Sequence, residues 1–171
     1  MTYKTNARLA GFMFLLYIVT GIASMVLFGQ ATSGAEGTAA TLASLAQHAL
    51  LVRLTAVLTL LTFFIAVVLA VALYALTRDV DRDLAMLALC CRVSEGVLNA
   101  IYAFVPLGLL WLATADAELG VPDAATANAL GALLLKVPGW GMIIGGTVFA
   151  VGSTIYSYLF LRARSIPVPL A

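Results

Sequence analysis

Residues 84–112, LAMLALCCRVSEGVLNAIYAFVPLGLLWL, form an apolar run that carries Arg92, Glu95 and Asn99 in its interior instead of at its ends. As an α-helix the run is long enough to cross a bilayer, which takes about 20 residues. Spacings of three, four and seven stack those three side chains on one face, and Ala88, Tyr102 and Pro106 extend the stripe. A charged side chain near the bilayer centre costs at least about 3 kcal/mol. The stripe is therefore expected to face protein or water while the rest of the helix faces lipid.

Composition agrees with a membrane setting. Of 171 residues, 63% are hydrophobic and only 10% charged, well outside the usual range of soluble domains. Nine basic residues against eight acidic ones give a net charge of +1, without the basic face that nucleic-acid binding requires. The two cysteines, Cys90 and Cys91, are adjacent, a spacing that suits neither a disulfide framework nor a zinc site nor a CxxC redox motif. His48 is the sole histidine and reads as a loop residue close to the membrane surface, so neither a metal site nor a cofactor is expected.

Outward from the central run, three further spans are expected. A polar, basic start precedes residues 9–28, an apolar stretch longer than the core of a secretory signal peptide and read as an uncleaved anchor. Residues 29–49 are rich in Gly, Ala, Ser and Thr and read as a connection with a short surface helix over 38–48. The second span covers residues 50–76. Arg53 lies near its start, where it can snorkel to the headgroups, and Thr55, Thr59 and Thr62 share one face, where back-bonding to carbonyls one turn earlier is expected. Arg78, Asp79, Asp81, Arg82 and Asp83 form a charged turn, whose acids complement the N-terminal dipole of the next helix.

Beyond Trp111 comes an acidic loop with Asp116, Glu118 and Asp123, broken by Gly120 and Pro122. Residues 124–135 are too short to cross before Lys136, Pro138 and Gly139, and read as a separate interfacial helix. The last span covers residues 138–161. In it Gly141, Gly145 and Gly152, with Ser153, are expected to let another helix pack closely, and Trp140 marks the interface. The expected fold is thus all-α: an integral membrane bundle of four transmembrane helices plus a short interfacial helix, in a single domain over residues 1–171. Lys4, Arg8, Arg78, Arg82, Arg162 and Arg164 fall on one side, which makes both termini cytoplasmic; a five-span version fits those charges worse.

Three stretches together resemble an uncharacterised family of bacterial multi-spanning proteins, catalogued as domain of unknown function 4386. Ala7 to Gly11 are similar to its Ala-Arg-x-Ala-Gly opening. Leu73 and Tyr74, then Val80, Leu84 and Ala85, then Arg92 and Glu95 resemble its Leu-Tyr turn and Arg-x-x-Glu helix. Arg162, Arg164, Ile166 and Pro167 resemble its Arg-x-Arg-x-Ile-Pro exit, with Val168 where a basic residue is frequent. The resemblance implies a bacterial plasma membrane protein and brings no activity. Family members commonly continue through further spans, which leaves open whether this fold closes alone or with a partner.

The candidate site is the stripe Arg92, Glu95, Asn99 and Tyr102. It reads either as a polar cluster that fixes helix packing or as a protonatable, ion-binding group lining a cavity. No GxSxG, HExxH or P-loop motif accompanies it, so no catalytic residue is assigned; an enzyme would have to assemble Glu95 and Arg92 with a group such as Tyr17 or Arg53. The leading expectation is a small structural or accessory subunit that packs with its own copy or a partner membrane protein. The alternative is a transporter or channel component. A cavity beside Glu95 favours transport, and dry packing against Thr55, Thr59 or Ser153 favours structure.

Overall fold

The computed structural model describes residues 3–114 and 123–164, and among these every regular element is helical. The elements are α1 (Tyr3–Ala31), α2 (Thr38–Gln47), α3 (Ala49–Thr77), α4 (Arg82–Tyr102), α5 (Phe104–Thr114) and α6 (Ala124–Arg162). The acidic residues Asp116 and Glu118, the breakers Gly120 and Pro122, and the Ile166-Pro167 segment with Val168 lie outside the described residues.

Four helical stretches are long and apolar enough to cross a membrane: α1, α3, α4 with α5, and α6. Helices α3 and α4 pair at the centre; α1 packs along α3, and α6 packs along α4. The side chains are sorted as lipid solvent demands. Phe12, Leu15, Val19, Met142 and Ile143 are exposed, whereas the contacts between helices bury Ala66, Ala70, Ala72, Ala85, Ala88, Thr20, Thr55 and Thr62. Small residues let the backbones approach where no hydrophobic force separates helix from lipid. The threonines back-bond as expected: Thr55, Thr59 and Thr62 donate to carbonyls one turn earlier at 2.8–2.9 Å.

Two expectations are corrected. The run 84–112 is not one helix, because it stops at Tyr102 and resumes at Phe104. Pro106 accounts for the break: it has no N–H to bond the Tyr102 carbonyl, and its ring crowds that oxygen, yet it is tolerated in the first turn of α5. Nor do residues 124–135 form a separate interfacial helix, since α6 is continuous over 39 residues with Pro138 inside it. From Trp140 to Arg162 the helix already rises about 33 Å, enough for the bilayer core, so its first turns are surplus length.

That surplus is sheltered by the other end of the bundle. Gly34 and Gly37, at φ 73° and 83°, turn the chain from α1 into α2. Ser44 then donates to the Ala31 carbonyl at 2.8 Å, satisfying an acceptor left over at the end of α1. The buried residues Leu42 and Leu45 of α2 join Val105, Leu109, Leu110 and Leu112 of α5 in one apolar cluster. Gly131 of α6 admits α2 to this cluster, because a Cβ there would stand 3.0 Å from Thr38 and 3.3 Å from Leu42. The helix expected at the surface over 38–48 is thus half of a cap.

At the opposite end, Asp81 accepts from the Leu84 amide at 3.2 Å as the N-cap of α4 and from Arg162 of α6 at 3.2 Å.

Candidate functional site

Gly96 and Gly152 position the site. A Cβ on Gly96 would stand 3.3 Å from the Phe63 ring, so this glycine lets α3 close over α4 and bury Glu95. A Cβ on Gly152 would stand 2.9 Å from the Cys91 Cβ; its absence brings α6 against α4 and sets Ser153 beside Arg92. Arg92 and Glu95 are 5% and 4% exposed. Arg92 lies ten residues into α4 from Arg82, about 15 Å along the axis and therefore near the middle of a bilayer core.

The pair sits in a four-residue chain of hydrogen bonds. Arg92 Nη1 donates to Glu95 Oε2 at 2.7 Å, Tyr17 Oη donates to Glu95 Oε1 at 2.7 Å, and Arg92 Nη2 donates to Ser153 Oγ at 3.2 Å. The guanidinium also lies 4.6 Å over the Phe149 ring. Three spans, α1, α4 and α6, thereby meet at one neutral pair. Arg92 Nε is buried without a partner.

Asn99 lies one turn farther along α4, where its side chain reaches the Tyr17 hydroxyl, and Tyr102 lies two turns farther, outside that chain. Asn99 lines a cavity of about 390 Å³ with Tyr17, Gly21, Ser24, Thr59 and Thr62. Tyr102 packs its ring over Gly141, where any Cβ would collide with it. Gly141 and Gly152 are thus used for packing inside the chain, whereas Gly145 has open space before it. A second cavity of about 630 Å³ runs between α1 and α6, with Arg92 and Ser153 among its lining residues. Glu95 lines neither cavity.

The stripe rule identified Arg92 and Glu95 because their spacing is local. Tyr17 and Ser153 carried only weak signals, a hydroxyl inside each outer span, and Phe149 carried none. Arg53 is exposed at the start of α3, far along the chain from this cluster. Among the described residues no group of three His, Cys, Asp or Glu side chains could hold a metal ion.

A bundle of four membrane-crossing helices around a buried Arg–Glu pair is a polytopic helical membrane protein. More particularly, residues 9–171 match the family model of a domain of unknown function, DUF4386, and the chain belongs to that family. No curated protein and no solved structure matches it.

Proposed function

We propose that the protein is a small structural or accessory subunit of the bacterial plasma membrane, with both termini cytoplasmic. The observation that carries this reading is the enclosure of Glu95, which accepts from Tyr17 on one oxygen and from Arg92 on the other and lines neither of the two cavities beside the site. A carboxylate so enclosed fastens helices; a proton or ion relay needs a route to water. The orientation follows from the basic residues Arg78, Arg82 and Arg162 at the end closed by the Arg162–Asp81 contact. Its partner is a second copy or another membrane protein, received on the α6 face where Met142 and Ile143 are exposed and Gly145 and Gly146 have open space.

Thermal unfolding of Glu95→Gln in the same detergent as the native chain tests the reading. Removing one member of a buried pair typically costs about 3–5 kcal/mol, and a loss of that size is expected. An unchanged midpoint would mean that Glu95 is hydrated or protonated, and the subunit reading would fall. A transport role is the second reading, favoured by the cavity that Tyr17 and Asn99 share; ion flux through reconstituted protein decides it.

A further inference from the structure

The outer helices α1 and α6 do not pack against each other along their length, and the space between them is a groove of about 630 Å³. Ala7, Gly11 and Phe14 line one wall, Phe149 and Phe160 the other, with Leu73 of α3 between them. This volume lies within the range that small-molecule sites occupy. Because α1 and α6 are the lipid-facing helices, the groove is open to molecules dissolved in the bilayer.

Among the described residues its single ionic one is Arg92, which lines it together with Ser153. A guanidinium has five N–H donors. Two of those on Arg92 have acceptors, Glu95 and Ser153, and the Nε–H has none. In a planar guanidinium the Nε–H lies on the same edge as Nη2, the nitrogen that donates to Ser153. One edge of a buried arginine is therefore short of acceptors beside an apolar groove, where an unmade hydrogen bond is costly. The charge is already balanced. Glu95 neutralises Arg92 at 2.7 Å, so an anion added at this depth would leave one buried negative charge uncompensated.

We propose that the α1–α6 groove binds a neutral lipophile bearing a carbonyl group. Its apolar body lies along Gly11, Phe14 and Phe160, and its carbonyl oxygen accepts from the Arg92 edge beside Ser153. Either the ester of a diacyl lipid or the ring carbonyl of an isoprenoid quinone supplies that chemistry. The site goes beyond the accessory role and does not depend on it.

Equilibrium binding of radiolabelled methyl palmitate to the full chain in maltoside micelles tests the site. The matching hydrocarbon, hexadecane, and palmitate at alkaline pH serve as competitors. The ester is expected to bind, with both competitors at least about tenfold weaker, the ratio for one hydrogen bond to a charged donor. Gly11→Phe is the blocking variant: Gly11 lines the groove and a Cβ there meets nothing within 4 Å, so the ring is expected to occupy the groove. It is expected to lower ester binding at least tenfold while the thermal midpoint holds, which separates this site from the Glu95 fastening tested above. Displacement of the ester by diacyl phosphatidylethanolamine, which carries no net charge near neutral pH, assigns the lipid source, and displacement by an isoprenoid quinone assigns the other. Equal binding of ester and hydrocarbon, tighter binding of the carboxylate, unchanged binding in Gly11→Phe, or displacement by neither natural lipid would each overturn the proposal. So would an absence of ester binding in a dimer that Gly11→Phe dissociates, since a second copy would then fill the groove.

Discussion

Tyr17 and Glu95 are joined by a 2.7 Å hydrogen bond across 78 positions of the chain. It connects the outer helix α1 to α4, although the backbone of α1 packs chiefly on α3. Tyr17→Phe keeps the ring and deletes the donor to a charged acceptor. A loss of about 1.5–3 kcal/mol is expected, read as a lowered midpoint in denaturant or heat. In that background Glu95→Gln is expected to cost less than it does alone, because the two residues share one network.

The Arg92–Glu95 pair illustrates how a buried ion pair differs from its halves. Arg92→Met or Glu95→Leu alone strands a charge and is expected to cost about 3–5 kcal/mol. Both changes together, with Tyr17→Phe to remove the orphaned hydroxyl, are expected to restore stability to the native level or above it. Thermal unfolding of the three variants side by side checks this. A triple variant as unstable as the singles would show that the pair contributes net stability.

The glycines of α6 separate into two kinds. Gly152→Val places branched carbons where a Cβ alone already stands 2.9 Å from the Cys91 Cβ, and a loss of about 1–3 kcal/mol is expected. Gly145→Ala enters open space and is expected to stabilise the helix by up to about 1 kcal/mol in the monomer. If Gly145 receives a second copy, Gly145→Leu is expected to dissociate it, which sedimentation in detergent would detect.

Asp123 gives the start of α6 a pH dependence. Hydrogen bonds from the Thr126 side chain and from the Thr126 amide, the latter at 2.8 Å, hold its carboxyl below the ordinary value of 3.8. A lowered folded-state value means that the cap contributes fully above the unfolded value and is lost as pH falls through the folded one. Hydrogen exchange at residues 124–127 is therefore expected to be insensitive to pH-driven uncapping near neutrality and to show fraying in strong acid. Asp123→Asn keeps the cap and should abolish that acid step.

The presence of four membrane-crossing stretches, and the Arg92 and Glu95 face within the third, were determined by the sequence alone. Hydrophobicity and helical spacing are local properties, readable one turn at a time. Breaks and continuations were not, although the residues responsible were visible. Pro106 stops a helix at Tyr102 whereas Pro138 lies inside one, and the difference is positional: Pro106 falls in the first turn of α5, Pro138 far inside α6. Tertiary structure also decided that α2 caps the bundle, because Leu42 and Leu45 find α5 only when the chain has folded back. It chose Tyr17 and Ser153 as partners of the ion pair, 78 and 61 positions from Glu95 and Arg92. Contacts over such separations depend on which helices become neighbours, and in lipid that choice rests on close packing at glycines such as Gly96 and Gly152, not on hydropathy, which makes every apolar face alike.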